Sequence, residues 1–125
     1  MIKKTLFLSL ILLLLLMACK TKTIIFSGES KNWSAKLKIT QTDDMQEEEF
    51  QLRYKGEDVN SVGEFDYEID SVGSSSRTNA ILNEDGSLMD NGSMCSGCAF
   101  TTEETEVVVT VEWNDKKEIF TLVNE

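Results

Sequence analysis

The chain contains no histidine and no proline. Without histidine it cannot build Ser-His-Asp or Cys-His nucleophile systems, histidine-ligated zinc sites, or the usual general base near neutral pH. It also lacks the glycine-rich loops that cradle phosphates in Walker and dinucleotide-binding motifs. Enzymatic chemistry would have to rely on carboxylates or thiols alone, so we expect a protein that is not an enzyme and holds no cofactor.

Positive charge is scarce. The chain has 12 basic residues against 22 acidic ones, and its formal net charge is −10. Such a surface repels the phosphates of nucleic acids, so we expect no nucleic-acid partner. It favours divalent cations and cationic proteins or peptides, although strong acidity also serves solubility alone.

Long apolar runs are missing except at the N-terminus. There Lys3 and Lys4 precede a run from Leu6 to Ala18. A basic segment, a short apolar segment and a small residue in this order are typical of a secretory signal peptide. The run is shorter than the roughly 20 apolar residues that a membrane-spanning helix needs. We therefore predict that residues 1–18 are a cleaved signal peptide.

The end of this run, Leu16-Met17-Ala18-Cys19, resembles the lipobox of bacterial lipoproteins. The resemblance implies that Cys19 receives a diacylglyceryl group carrying acyl chains such as palmitate, and that it becomes the first residue after cleavage. The protein would then be anchored by lipid to the extracytoplasmic face of the cell membrane. The alternatives are an ordinary cleaved signal and an uncleaved anchor. We predict a lipidated tether at residues 19–25 and a single domain at 26–125.

Beyond the signal peptide, apolar and polar residues alternate with a period of two, which predicts half-buried strands. The alternation predicts an inner face of apolar residues on three early strands, namely Trp33, Ala35, Leu37 and Ile39, then Phe50, Leu52 and Tyr54, then Phe65, Tyr67 and Ile69. Pairing these strands in sequence predicts a meander with Leu37 opposite Leu52, Ile39 opposite Phe50, and Phe50 opposite Ile69. A C-terminal hairpin is predicted with Val109 opposite Leu122 and Val111 opposite Phe120, placed centrally in a sheet.

Glycine, serine and acidic residues mark the connections. We predict a hairpin loop at residues 43–49, a flexible connection at 73–76, and tight turns at 85–86 and 91–92. Residues 80–82 are a short strand candidate. About seven strands emerge in total. The number and size predict an all-β fold, an antiparallel immunoglobulin-like β-sandwich, with a small open barrel as the second choice.

Four carboxylates alternate along one predicted strand: Glu64, Asp66, Glu68 and Asp70. The predicted register puts Arg53 opposite Asp66 and Lys55 opposite Glu64, which favours a solvated and charge-paired outer face. The other interpretation is a face that binds cations or a basic partner.

Two further segments carry a second resemblance. The opening from Phe26 to Trp33, which includes Gly28-Glu29-Ser30, and the closing hairpin from Glu112 to Leu122 resemble small, uncharacterised lipoproteins of Bacillus and its Gram-positive relatives. The resemblance implies a secreted, membrane-tethered β-sandwich without an assigned activity. Trp33 and Trp113 fall on predicted inner faces, so core packing is favoured over ligand stacking.

Cys95 and Cys98 form a C-x-x-C pair. Because disulfides persist outside the cytoplasmic membrane, we predict a local structural disulfide between them. A redox dithiol is the alternative, although Glu103, Glu104 and Glu106 disfavour the thiolate. A metal site is disfavoured because one pair supplies only two ligands. The sequence thus predicts a membrane-tethered, non-enzymatic binding or structural module, with thiol-disulfide exchange as the alternative.

Overall fold

The computed structural model describes residues 3–5, 7–10, 21–96 and 100–125, with the backbone alone at 92–96. Residues 3–5 and 7–10 are helical. One 3-10 turn, Val59–Ser61, interrupts the strands. The eight strands are β1 (Thr21–Glu29), β2 (Trp33–Thr42), β3 (Met45–Tyr54), β4 (Phe65–Asp70), β5 (Ser74–Ala80), β6 (Ser87–Ser96), β7 (Val107–Trp113) and β8 (Lys116–Asn124).

The strands form one curled antiparallel sheet in the order β5-β4-β7-β8-β1-β2-β3-β6. Two four-stranded halves meet where β1 pairs with β8. This junction is short: the ladder pairs Phe26 with Asn124 and Ser27 with Val123, and the Glu125 N–H donates to the Ile25 carbonyl at 2.9 Å. The all-β antiparallel prediction is confirmed. The described residues form eight strands instead of about seven, and these belong to one curled sheet.

The inner faces of both halves enclose one apolar core. Its largest fully buried side chains include Trp33, Phe26 and Phe65. Trp33 stacks edge-on against Trp113 with ring centroids 5.4 Å apart, and the two side chains are 0% and 4% exposed. The alternating inner faces predicted for β2, β3 and β4 are confirmed, as is core packing of both tryptophans. Aromatic pairs of this kind add stability beyond the burial of their area.

Both predicted hairpin registers are wrong by two residues. Leu37 lies opposite Phe50, and Val109 lies opposite Phe120, because each hairpin closes with a two-residue turn. In the second turn, Asn114 and Asp115 have φ values of 48° and 59°. Positive φ at both central residues is the geometry that matches the twist of a tight hairpin. Residues 45–49, predicted as loop, therefore belong to β3.

The predicted meander of β2, β3 and β4 is also wrong. β3 pairs with β2 and β6, whereas β4 pairs with β5 and β7. Phe50 does meet β4, but it stacks on Tyr67 across the core with ring centroids 5.4 Å apart. The two strands face each other and share no hydrogen bonds because the connection from residue 55 to 64 carries the chain to the other half of the sheet.

The segments between β4 and β7 differ from the prediction at three places. Ser74–Ala80, partly predicted as a flexible connection, is the edge strand β5, and residues 81–82 are not in a strand. Asn91-Gly92, predicted as a turn, lies within β6. Asn91 and Ser93 are both paired with β3 but Gly92 between them is not, so Gly92 is the extra residue of a bulge. The predicted turn at residues 85–86 is confirmed, with Gly86 at a φ of 83°.

The alternating strand directions divide the connections between two ends of the sheet. The N-terminal end contains the start of β1, the connections at residues 43–44 and 71–73, the described residues 100–106 before β7, and the C-terminus. The opposite end contains the connections at 30–32, 55–64, 81–86 and 114–115. β1 begins at Thr21, so residues 21–25, predicted as tether, pair with β2 and belong to the sheet.

Candidate functional site

Most of the predicted site residues fall outside the described part of the chain. Cys19 and Cys98 lie outside it. Cys95 is in β6, where its backbone lies opposite Gln46. The described structure thus places the start of the C-x-x-C segment at the N-terminal end of the sheet. The predicted disulfide and the predicted lipidation stay predictions.

A buried polar cluster of Gln41, Gln46 and Thr101 lies beside this segment. The Gln46 Oε1 accepts hydrogen bonds from the Gln41 side chain and from the backbone N–H of Thr101, both at 2.9 Å. The Gln41 amide also donates to the Thr101 carbonyl at 2.6 Å. All three residues are buried, so their polar groups need these partners. The cluster attaches the chain that follows the C-x-x-C segment to the hairpin of β2 and β3.

One carboxylate borders this cluster. Glu48 is half-buried and accepts a hydrogen bond of 3.3 Å from Gln46. Burial raises the pKa of Glu48, and the hydrogen bond from Gln46 only partly opposes this effect. Glu48 lies opposite Ser93, two residues before Cys95 on β6.

Three of the four alternating carboxylates lie on the outer face of β4 and the fourth, Glu64, directly precedes this strand; all four residues are exposed. The predicted partners are wrong. Arg53 lies opposite Ser34 and Ser87, and Lys55 binds Glu29 at 3.3 Å. β7 instead places Glu112 directly opposite Asp66.

Five outward carboxylates form what we call the acidic surface. They are Glu64, which precedes β4, then Asp66, Glu68 and Asp70 of β4, and Glu112 of β7. Within the described residues, the one ion pair that involves this surface joins Glu112 to Lys117 at 3.7 Å. The Asp66 carboxylate accepts a hydrogen bond of 3.0 Å from the backbone N–H of Asn79. Like charges directly opposite each other destabilise a sheet, and Lys117, which lies opposite Glu112 on β8, compensates this repulsion only at Glu112.

An open depression of about 510 Å³ lies where the acidic surface reaches the opposite end of the sheet. Acidic and basic residues line it together with an aromatic residue, and they include Glu64, Asp66, Glu112, Trp113, Lys116 and Lys117. The Lys116 ammonium lies 5.8 Å from the centre of the Trp113 ring, within cation–π range. The geometry suits a cationic or zwitterionic group approaching the carboxylates.

A second cluster joins the two unpaired edges of the sheet. The Tyr67 hydroxyl donates to the Asp90 carboxylate at 2.6 Å, and Arg77 lies 4.0 Å from the same oxygen. Burial, followed by the hydrogen bond and the charge of Asp90, raises the pKa of Tyr67 to about 12. Side chains thus connect β5 with β6 where backbone pairing is missing.

The two segments that carry the second resemblance meet at the opposite end of the sheet. The Glu118 carboxylate accepts hydrogen bonds from the Ser30 hydroxyl, from the Asn32 backbone N–H at 3.0 Å, and from the Asn32 side-chain amide at 2.5 Å. Burial opposes ionisation of Glu118, but the hydrogen bonds from Ser30 and Asn32 outweigh it and lower the pKa. This contact closes the turn between β1 and β2, which is a structural role.

Sequence reasoning missed Glu112, Glu118 and Asp90. Glu112 could have been found only by pairing β4 with β7, since its own neighbours in sequence give no sign of the opposite carboxylate. Glu118 and Asp90 act on residues far away along the chain, and no local pattern marks such contacts.

Two further properties concern the described residues as a whole. No group of three or more histidine, cysteine, aspartate or glutamate side chains among them could hold a metal ion. In the same part of the chain, no helix combines the length and the apolar character needed to cross a bilayer.

Comparison with protein-family models, with curated proteins and with solved structures found no match to this chain.

Proposed function

We propose that this chain is a lipid-anchored, extracytoplasmic β-sheet lipoprotein of the Bacillus type, which has no enzymatic activity and binds a cationic protein or peptide. The lipid anchor rests on the Leu16–Cys19 motif that follows the apolar run. The observation that carries the binding role is the pair Asp66 and Glu112, two exposed carboxylates held directly opposite each other.

Among the described residues Asp66 has no ion-pair partner and Glu112 has only the exposed Lys117, so the repulsion that remains between the two carboxylates makes a cationic partner favourable. A lysine or arginine side chain placed between Asp66 and Glu112 would neutralise both, and the depression beside them offers room for it. The attraction between exposed charges is screened by salt over about 10 Å at 0.1 M, so binding should weaken as ionic strength rises.

The binding role is tested with a lysine-rich peptide and the domain that begins at Lys20, by calorimetry at low salt. We expect the double variant Asp66→Asn with Glu112→Gln to bind the peptide more weakly than the unmodified domain. The matched control is Asp44→Asn with Glu47→Gln, which removes the same two charges from exposed positions of another hairpin. If both variants lost the same affinity for the peptide, overall net charge would explain the effect, and a defined binding surface would be refuted.

Thiol-disulfide exchange at Cys95 and Cys98 is the alternative proposal. Its support is that the chain on both sides of the segment is held, by the β6 ladder before it and by Thr101 after it. A redox titration separates the two roles. A midpoint below about −300 mV indicates a structural disulfide, and a midpoint between about −120 and −230 mV indicates a working dithiol.

We also retain the immunoglobulin-like sandwich as a proposal for the fold. It is supported by the two four-stranded halves that enclose one core, and by their short junction at β1 and β8. A crystal structure of the domain tests this proposal, because it shows whether β1 pairs with β8 at that junction.

A further inference from the structure

The sheet begins almost at the predicted site of lipid attachment. β1 starts at Thr21, and only Lys20 separates it from Cys19. Two residues of extended chain span at most about 7 Å. The lipid would therefore hold the folded sheet itself close to the bilayer, because no long tether intervenes.

Contacts of β1 identify the elements nearest to this attachment. Thr21 lies opposite Thr42, which is the last residue of β2 before the turn at Asp43 and Asp44. Lys22 forms an ion pair of 2.7 Å with Glu103, in the connection between β6 and β7. The start of β1, the first hairpin turn and this connection thus form one end of the molecule.

The opposite end is far from the attachment. β1 has nine residues, and a strand rises about 3.3 Å per residue, so the two ends are separated by roughly 25–30 Å. The turn that includes Glu84 and the depression beside Trp113 lie at that far end.

We propose that the N-terminal end of the sheet is a membrane-apposed surface that lies against neutral lipid headgroups, and that the opposite end points away from the bilayer. The proposal rests on lipid attachment at Cys19, as proposed above. The exposed residues of this end include Asp43, Asp44 and Glu104, and the charge of Lys22 is already paired, so the surface is acidic. The headgroups that it contacts are therefore zwitterionic. Anionic lipids repel such a surface over about a Debye length, which is about 10 Å at 0.1 M salt.

This orientation has a consequence for binding. Glu64, Asp66 and Glu112 lie near the end that points away, and the depression beside them opens there. A cationic partner would then reach them from the extracytoplasmic space without crossing the headgroup layer.

The test uses the full-length lipidated chain in phosphatidylcholine vesicles. An azide-bearing residue replaces either Asp44 or Glu84, and each carries the same fluorophore. The two positions are a matched pair, since both are exposed acidic residues in turns at opposite ends. A quencher attached to the lipid headgroup reports contact with the bilayer surface.

We expect the fluorophore at position 44 to be quenched several-fold more than the one at position 84. Vesicles rich in anionic lipid should reduce this difference at low salt, and high salt should restore it. Equal quenching at both positions, or stronger quenching at position 84, would overturn the orientation while leaving the anchor intact.

Flotation of the vesicles separates the two proposals. A lipidated chain that floats with the vesicles, while the unlipidated domain that begins at Lys20 does not, carries the anchor. A chain that fails to float overturns the anchor and the orientation together.

Discussion

At the scale of single residues, two positions shape the contact between β1 and β8. Gly28 lies where β1 passes β8, and a Cβ atom there would sit 2.4 Å from the Thr121 carbonyl oxygen. Glu118 binds Ser30 and Asn32 from the other side of the same junction. Because the ladder between β1 and β8 is short, the close approach at Gly28 and the Glu118 contacts add to the few backbone bonds that join the two halves.

We predict that Gly28→Ala destabilises the domain by about 1–3 kcal/mol, because the added methyl group forces the backbones of β1 and β8 apart. Urea unfolding measures the free energy. The control is Gly73→Ala, where nothing lies within 4 Å of the added Cβ. An equal effect at both positions would contradict the close approach.

Glu118 should make stability depend on pH. Its folded pKa is lower than its ordinary value of 4.5, so it contributes stability above about pH 4.5 that is lost as the pH falls through the folded pKa. We predict that Glu118→Gln is less stable than the unmodified domain at neutral pH and that this deficit shrinks in acid. Thermal unfolding between neutral and acidic pH measures the deficit. A deficit that does not change with pH would refute the role of the charge.

At the scale of elements, hairpin turns decide the register of the sheet. Both residues of the turn, Asn114 and Asp115, lie in the left-handed region. This backbone conformation is unfavourable for residues other than glycine, asparagine and aspartate. The turn therefore fixes which residue of β7 meets which residue of β8.

Asp115 provides the test of this turn. We predict that Asp115→Gly stabilises the domain or leaves it unchanged, and that Asp115→Ala destabilises it by about 1 kcal/mol relative to the glycine variant. Both variants remove the same charge, so their difference reports the backbone conformation. Chemical denaturation of the two variants measures it, and equal stability would contradict the left-handed geometry.

At the scale of the whole molecule, a curled sheet leaves its two edge strands facing each other with no backbone pairing. Tyr67, Arg77 and Asp90 connect them through side chains. The molecule thus has two distinct ends and an acidic outer face. Its anchor, its orientation and its partner are proposals about how this shape meets the membrane.

The anchor itself gives the prediction at this scale. Cys19→Ala should shift the protein from the membrane fraction to the soluble fraction, or leave it unprocessed, because the lipobox then lacks the cysteine that would accept lipid. Fractionation followed by mass measurement of the mature chain checks this result. An unchanged membrane fraction with an unchanged mass would refute the lipoprotein proposal.

The alternation of Trp33 to Ile39 and of Phe65 to Ile69 was enough to predict strands and their inner faces. It could not predict register, because a shift of two residues leaves every side chain on the same face. Leu37 meets Phe50 instead of Leu52 for this reason. The acidic surface was predicted as a set of exposed carboxylates, but its repulsive partner Glu112 comes from a strand that follows much later in the chain.

The sequence by itself determined the all-β class, the alternating faces and the acidic charge, because these follow from local composition and a period of two. Only the tertiary structure decided that β3 and β4 stack across the core and that Asp66 faces Glu112. From the sequence, the opposite charges on their outer faces predicted that β3 pairs with β4. Burial of both inner faces in one core places these strands in opposite halves, because removal of apolar area from water outweighs exposed charge pairs.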